Sequence, residues 1–286
     1  MLYIGSHVSL KGKDMYLGSV LEALSYNANS FMVYTGAPQN TIRKSIEDLK
    51  IAEALKLIEE NNILPSNIIV HAPYIVNLST EDEEKRQFAI SFLTNEVLRT
   101  AKMGSYNMVV HPGNALKLSL NEAIKNTAFV LNKIIENTKD IDVRICIETM
   151  AGKGSEIGKT FEEVKQIIDL IDNKDRIGVC FDTCHVNDSG YDLVNNYEEV
   201  ITKFDQLIGL EQIKVIHLND SKNVCGAKKD RHENLGMGNI GFDTLIKICY
   251  DERFKNIPKI LETPYIDGVA PYKDEIAMIR SKIFKK

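Results

Sequence analysis

The loop that contains His232 carries side chains of the types that bind zinc, beside the pattern of a buried strand. A β-branched apolar run ends at His217, and the chain then becomes polar through residues 219–221. Asp230 and His232 follow in the same polar loop. Imidazole and carboxylate groups are zinc ligands, so the loop is a candidate metal site. Taken alone, it is equally compatible with a hydrogen-bonded structural histidine and a solvent-exposed Asp-Arg-His turn.

The composition is that of an ordinary globular protein and restricts the classes of function. The 286 residues are 44% hydrophobic and 26% charged, and no apolar run approaches the roughly 20 residues of a membrane span. The net charge of -5 argues against broad electrostatic coating of nucleic acid. Five cysteines without a CxxC pair predict reduced thiols. Because the first residues lack the apolar stretch of a signal peptide, we expect a cytoplasmic protein without membrane association.

Strand-like and helix-like segments alternate along the chain. Eight short apolar runs rich in β-branched residues occupy 3–8, 31–35, 68–71, 108–111, 143–148, 177–182, 213–217 and 259–262. Helical periodicity appears between them at 44–60, 84–102, 120–136, 161–171, 197–207 and 242–250. The units recur about every 36 residues, as in a (β/α)8 TIM barrel. A doubly wound sheet is disfavoured because no GxGxxG follows the first strand, so we predict a single barrel domain spanning residues 1–286.

The ends of the predicted strands carry an unusual set of polar side chains. In a TIM barrel the carboxyl ends of all eight strands meet at one face, where active sites lie. Nine metal-ligand side chains fall at these ends or in the loops that follow them: His71, His111, Glu148, Asp182, His185, His217, Asp230, His232 and Glu262. A carboxylate that follows an apolar strand is costly to bury without a cation. The pattern therefore predicts a multinuclear metal centre at the carboxyl face of the barrel.

The ligand types indicate which metal and which chemistry to expect. Imidazoles and carboxylates without thiolates suit Zn²⁺, with Mn²⁺ or Fe²⁺ as competitors at one site. Nine ligands exceed one tetrahedral site, and three ions fit better than two if a carboxylate bridges. Neighbouring divalent ions activate water and stabilise the attacking and leaving oxygens of an in-line displacement. Phosphodiester hydrolysis is therefore the leading prediction.

Long motifs in order along the chain are similar to those of a known family. They are HAPYIVNL (71–78), VVHPGN (109–114), IETMAGKGSEIG (147–158), CFDTCH (180–185), HLNDSKN (217–223), KDRHENLGMGNIG (229–241) and LETPY (261–265). Together they closely resemble the endonuclease IV family of apurinic/apyrimidinic endonucleases. The resemblance implies a TIM barrel with three zinc ions that incises double-stranded DNA on the 5′ side of an abasic site. The expected products carry a 3′-hydroxyl and a 5′-deoxyribose phosphate.

The same resemblance implies a role for each candidate ligand. One zinc is assigned to His71, His111 and Glu148, and the third to His185, Asp230 and His232. Glu148 also bridges to the second zinc and is the expected catalytic residue. Asp182, His217 and Glu262 complete that second set. His7 stands outside all three sets, and we favour a supporting role for it over direct catalysis.

Contacts with DNA are expected from the loops around the site. The resemblance assigns Tyr74 and Ile75 to a wedge that fills the gap left by a flipped abasic nucleotide. Gln39 stands where some relatives have an inserting arginine, and Arg231 lies between two candidate ligands. Loop lysines at 153, 222, 228 and 229 either meet phosphates or are merely solvated. We expect a monomer that acts on duplex DNA.

Two other classes of function remain open on sequence alone. A divalent-metal sugar isomerase or epimerase would share the barrel and its carboxylate-rich rim, but would need fewer histidines. A binder of damaged DNA would use zinc only to order its loops, with closed ligand shells. The glycine-containing segment 150–158 lacks the GK[ST] ending of a P-loop, so we do not predict a nucleotide site there.

Overall fold

A closed barrel of parallel strands is the framework of the computed structural model, which describes residues 1–285. In chain order the strands are β1 (Ile4–His7), β2 (Ser30–Tyr34), β3 (Ile68–His71), β4 (Asn107–Val110), β5 (Arg144–Glu148), β6 (Ile177–Asp182), β7 (Ile213–His217), β8 (Asp220–Ser221), β9 (His232–Glu233) and β10 (Lys259–Leu261). Strands β1 to β7 and β10 form the barrel, which closes where Ile4 pairs with Lys259. Strands β8 and β9 form a short antiparallel pair in the loop after β7. The predicted TIM barrel is confirmed.

Helices occupy most of the connections and cover the outside of the barrel. They are α1 (Met15–Ser25), α2 (Ile51–Glu60), α3 (Glu83–Lys102), α4 (Leu120–Asn137), α5 (Phe161–Asp169), α6 (Thr183–Ser189), α7 (Tyr197–Leu207), α8 (Phe242–Cys249) and α9 (Tyr272–Ser281). Several begin at a capping side chain, as in the capping box that Ser119 and Glu122 form at α4. Their apolar faces pack with the outer faces of the strands in one large core.

Several predicted boundaries differ from the structure by one or two residues, and one predicted helix is divided. The segment 44–60 is not one helix, because Lys50 adopts a left-handed conformation with φ of 54° and separates a 3₁₀ turn from α2. Strands β4 and β10 end one residue earlier than predicted, so His111 and Glu262 lie immediately beyond their strands. Both side chains remain at the carboxyl face. No helix within residues 1–285 combines the length and the apolar character needed to cross a bilayer.

Candidate metal centre

The alternation of side chains along the strands places most of the predicted ligands inside the barrel. Seven buried residues, one from each of seven strands, form an apolar layer in the barrel interior: Met32, Ile69, Val109, Cys146, Cys180, Val215 and Ile260. Side chains two positions apart on a strand point to the same face. The residues two positions further along are Tyr34, His71, His111, Glu148, Asp182, His217 and Glu262. Six predicted ligands therefore lie in one layer above an apolar floor, at the carboxyl ends of the strands.

Glu148 lies at the centre of the candidate site. Its Oε2 atom is 3.1 Å from Nε2 of both His71 and His111, and its Oε1 atom is 3.1 Å from Nδ1 of His217. The carboxylate is almost completely buried, at 1% exposure. Imidazoles from three strands thus converge on the two oxygens of one carboxylate. This arrangement allows Glu148 to belong to two neighbouring ligand groups at once.

Three groups of side chains have donor atoms within 4.8 Å of one another and match the predicted sets. The first contains His71, His111 and Glu148, the second Glu148, Asp182, His217 and Glu262, and the third His185, Asp230 and His232. The second and third groups are adjacent, because His232 Nε2 lies 3.7 Å from Asp182 Oδ2. The structure therefore brings all nine predicted ligands together in one contiguous cluster.

The outer hydrogen bonds of three histidines fix which ring nitrogen faces the cluster. The Nδ1–H groups of His71, His185 and His232 donate to the backbone carbonyls of Ala72, Thr149 and Glu262 at 2.7, 2.9 and 3.3 Å. Each ring is thereby oriented with its Nε2 atom directed at the cluster. Within residues 1–285, Nε2 of His232 is buried and has no hydrogen-bond partner. Metal-bound histidines show this pattern, in which a carbonyl holds the distal nitrogen.

The second group is held by a side chain that the sequence did not single out. Asn219, two residues beyond His217, donates from Nδ2 to Asp182 Oδ2 at 2.8 Å and to Glu262 Oε2 at 3.3 Å. Its Oδ1 atom accepts from the backbone N–H of Glu262 at 2.8 Å. One buried amide thus orients two candidate ligands from different strands. Its only sequence signal is its place in the polar turn after β7.

The electrostatics of the cluster favour a bound cation. Burial alone raises the pKa of Glu148, but the charges of His217 and His111 outweigh it and hold that pKa well below its usual range. Burial lowers the pKa of His185, yet the charge of Asp182 and the hydrogen bond to Asp230 raise it well above its usual range. The metal-free cluster therefore binds protons between its carboxylates and imidazoles. Divalent cations would replace those protons, so the donor set fits metal binding.

Two cysteines lie near the cluster but are poorer ligands. Cys180 is within 4.8 Å of the Glu148 and His217 donor atoms, and Cys184 of those of Asp182 and His232. Burial raises the pKa of both thiols by more than the nearby His217 and His185 lower it. Metals bind the thiolate form, which is disfavoured here. The oxygen and nitrogen donors are therefore the better ligand set, as predicted.

Tyr34 and His7 complete the wall of the site on the side of β1 and β2. The Tyr34 ring lies 4.7 Å from the ring of His71 and 5.2 Å from that of His7. Burial lowers the pKa of His7 more than the nearby charge of Glu262 raises it. His7 therefore remains a neutral imidazole beside the cluster. Its position is compatible with the supporting role that we expected.

The predicted DNA-contacting residues lie at the rim of the same face. Tyr74 and Ile75 follow β3 and are 50% and 54% exposed, with the Tyr74 ring 6.2 Å from that of His111. Gln39, after β2, and Arg231, between two candidate ligands, are also exposed. Among the loop lysines, Lys153 Nζ lies 3.7 Å from Asp230 Oδ2. All four predicted contacts are accessible to a ligand that approaches the carboxyl face.

The loop that carries Tyr74 and Ile75 is fixed to the next loop by side-chain hydrogen bonds to Asn114. Asn77 accepts the backbone N–H of Asn114 at 2.9 Å and donates to the carbonyl of Asn114 at 3.0 Å. A Cβ atom on Gly113 would lie 2.4 Å from Asn77 Oδ1, and Gly113 has a φ of 114°. Glycine is therefore required where the two loops meet. This contact holds two exposed apolar side chains beside His111.

Comparisons with known proteins agree with these observations. A family model described as a xylose isomerase-like TIM barrel matches residues 20–282. A probable endonuclease 4 from Acholeplasma laidlawii is 58% identical over 284 residues, which cover 99% of this chain and 97% of the relative. The similarity to this relative therefore extends over nearly the whole chain.

Solved structures give the same result. The crystal structure of endonuclease IV from Thermus thermophilus has a TM-score of 0.84 and 28% identity, and the match covers 98% of each chain. A D-tagatose 3-epimerase-like protein has a TM-score of 0.68 at 21% identity, covering 97% of this chain and 99% of that one. The second likeness shows the shared fold alone. The chain belongs to the endonuclease IV family of apurinic/apyrimidinic endonucleases.

Proposed function

We propose that this endonuclease uses three zinc ions to hydrolyse the phosphodiester on the 5′ side of an abasic site in duplex DNA. The products are a 3′-hydroxyl and a 5′-deoxyribose phosphate. The observation that carries the proposal is Glu148, whose two oxygens face separate ligand groups. A carboxylate in that position would serve as a ligand in both groups, and a shared ligand is a feature of hydrolytic rather than structural sites. One domain, residues 1–286, performs the whole reaction as a cytoplasmic monomer.

The donor atoms indicate how the ions are distributed. His71 and His111 would hold the first ion with Glu148, and His185, Asp230 and His232 would hold the third. Asp182, His217 and Glu262 would hold a second ion together with Glu148. Nitrogen and oxygen donors without a thiolate suit Zn²⁺, and Mn²⁺ or Fe²⁺ would be accepted at one site. When bound, the ions supply Lewis-acid stabilisation of phosphate oxygens and lower the pKa of water.

The charge of the site supports an anionic substrate. Four carboxylates lie among the nine candidate ligands, at Glu148, Asp182, Asp230 and Glu262. Three divalent cations exceed this negative charge and leave a net positive charge at the mouth of the barrel. A phosphodiester carries the opposite charge and would be attracted to this mouth. The chain without metal has a net charge of -5 and would not attract DNA.

The chain orients the reaction through its own rigid elements. Seven of the nine candidate ligands lie at or just beyond the ends of barrel strands or on α6, where the barrel sets their positions, and Asp230 and His232 lie on the loop after β7. In the reaction a water oxygen forms a bond to phosphorus, and the bond from phosphorus to the 3′ oxygen breaks. The water loses a proton, and the departing 3′ oxygen gains one. Glu148 is buried between the first two groups and fixes their positions relative to each other for the attack.

Recognition of the lesion rests on the exposed apolar pair beside the site. Tyr74 and Ile75 are half exposed although they are large and apolar, and Asn77 holds their loop in place. An abasic nucleotide is poorly stacked and is displaced at low cost, after which apolar side chains fill the gap. Gln39 and Arg231, both exposed at the rim, would contact the backbone or groove beside the lesion.

The proposal is tested by loading the purified protein with zinc and measuring both metal content and cleavage. A duplex with one abasic site and labels at both ends should be cut once, and end-group analysis should find a 3′-hydroxyl. An intact duplex of the same sequence is the control. Retention of the abasic duplex without a cut would indicate a damage binder. Turnover of a free ketose with one or two metals per chain would indicate the isomerase alternative.

A further inference from the structure

The last turn of α6 holds the loop that delivers two candidate ligands. Asp188 is completely buried, and its carboxylate accepts hydrogen bonds from three groups of the loop 221–230. The donors are Ser221 Oγ at 2.6 Å, Asn223 Nδ2 at 3.0 Å and the backbone N–H of Asp230 at 3.0 Å. Within residues 1–285 no Lys, Arg or His side chain pairs with this carboxylate. Its charge is therefore balanced by the loop itself.

The same residue fixes the strained part of the loop. Lys228 and Asp230 adopt left-handed conformations, with φ of 55° and 53°. Such conformations are unfavourable for residues other than glycine and persist only where surrounding contacts impose them. Lys228 donates its backbone N–H to the Asp188 carbonyl at 2.9 Å, and Asp230 donates its own to the Asp188 carboxylate. Both strained residues are thus held by one residue of α6.

This contact joins the ligands of the third group. His185 lies one helical turn before Asp188 on α6, and its Nε2 atom is 3.0 Å from Asp230 Oδ1. The helix therefore supplies one ligand directly and sets the position of a second through Asp188. We infer that Asp188 is a positioning residue for the third metal, which it keeps assembled by holding Asp230 against His185. The inference rests on the proposed function, because it requires that this group binds a metal.

The contacts of Asp188 make its effect selective. Its hydrogen bonds reach the loop 221–230, while the first group is built on β3, β4 and β5. Without the carboxylate, the partly buried N–H of Asp230 and the amide of Asn223 lose their acceptor, and a donor shielded from water without a partner is costly. The loop then opens to satisfy these groups with water. The third metal is lost first, and the first two remain.

Two substitutions of Asp188 distinguish a hydrogen-bonding role of its side chain from a purely electrostatic role. Asparagine at this position has the same shape and keeps one oxygen for Asp230 and Asn223. Its amide can donate to Ser221 Oγ, which has lone pairs available. Asp188→Asn should therefore preserve the loop although it removes the charge. Asp188→Ala removes all three contacts.

The experiment measures zinc per chain for the full-length protein across a range of free Zn²⁺ concentrations. Wild type should bind three ions, and Asp188→Ala should bind two, with the affinity for the third reduced about 10- to 100-fold. Excess Zn²⁺ should restore the third ion in Asp188→Ala, and Asp188→Asn should resemble wild type. Asp192→Ala is the matched control, because Asp192 also binds backbone N–H groups but only those of Val194 and Asn195.

The outcomes separate this inference from the proposed function. Fewer than three ions in wild type at saturation would overturn the three-zinc proposal itself. Three ions held with equal affinity by wild type and Asp188→Ala would overturn the positioning role alone. Loss of all three ions together, with a lower melting temperature and no recovery in excess Zn²⁺, would mean that Asp188 supports the fold generally. Such a result would also overturn the inference.

Discussion

The rings of Tyr34 and His71 lie 4.7 Å apart, and the two residues are register partners on β2 and β3. Tyr34 thus supports a candidate ligand from the side of the barrel that carries none. Tyr34→Ala should remove this packing, lower the free energy of unfolding by about 3 kcal/mol and weaken zinc binding at the first group. Urea unfolding and zinc titration measure the two effects. Tyr34→Phe keeps the ring and is the control, so equal behaviour of Ala and Phe would contradict the prediction.

Glu148→Gln tests the shared carboxylate. The variant should retain the folded barrel, because glutamine has nearly the same shape, but it cannot bridge two cations as an anion. We expect lower zinc content and a loss of incision by orders of magnitude, measured on the abasic duplex with metal analysis of the same sample. Glu156→Gln is a matched control, since Glu156 accepts the Gly152 and Lys153 N–H groups through one oxygen. Full activity of Glu148→Gln would refute the bridging role.

Tyr74→Ala should change selection of the substrate and not the metal centre. Loss of the exposed ring removes apolar surface that fills the gap left by the abasic nucleotide. Binding of abasic duplex should weaken by about 1–3 kcal/mol relative to intact duplex, while zinc content stays constant. Tyr106→Ala is the control, because Tyr106 is 44% exposed but lies before β4, at the opposite end of the barrel. A fall in zinc content would mean that Tyr74 belongs to the metal centre.

Asn77→Ala tests whether the wedge needs a fixed loop. The substitution breaks both hydrogen bonds to Asn114, so stability should fall by about 1–3 kcal/mol. Discrimination between abasic and intact duplex should fall as well, although Tyr74 and Ile75 are unchanged. Chemical unfolding and competition binding measure these effects. Discrimination equal to that of wild type would show that the wedge does not depend on this contact.

Lys259 provides a test of pH dependence away from the metal centre. It is completely buried at the start of β10, and burial lowers the pKa of its ammonium group to about 8. Between about pH 8 and the ordinary lysine pKa, the unfolded chain binds more protons than the folded chain. The free energy of unfolding therefore rises with pH over this window. Lys259→Met should abolish the rise and stabilise the protein below pH 8, by up to about 3 kcal/mol.

The measurement for Lys259 is urea unfolding at several pH values from 7 to 10.5, at constant zinc. Lys56→Met is the control, because the Lys56 side chain is 77% exposed and its removal should leave the pH dependence unchanged. If the free energy of unfolding depends on pH in the same way in wild type and in Lys259→Met, the ammonium group is not destabilised by burial.

Much of the fold and of the site was predictable because side chains two positions apart on a strand point to the same face. Residues such as Cys146 and Glu148 occur two apart on an apolar strand, which indicates a buried layer with a polar residue above it. Helix α6 was not predicted, because the segment TCHVNDS has few strong helix formers. It begins at Asp182, whose side chain accepts the N–H of His185 at 2.7 Å. A candidate ligand therefore also caps the helix, which the sequence pattern does not reveal.

Tertiary contacts between distant loops were not predictable from one sequence. Asn219 and Asp188 act through partners 33 to 43 residues away, and no local spacing marks them. Lys50 interrupts a segment with helical periodicity because its own backbone is left-handed. The roles of Gln39 and Arg231 remain predictions, since exposure at the rim does not identify the group that each contacts.

The candidate ligands are spread along the chain from His71 to Glu262, which lies beside the strand that closes the barrel. No shorter segment of the chain therefore contains all nine of them. A polypeptide still emerging from the ribosome, or one shortened by proteolysis before Glu262, lacks a member of the second group. Assembly of the full donor set therefore waits for the last strand of the barrel.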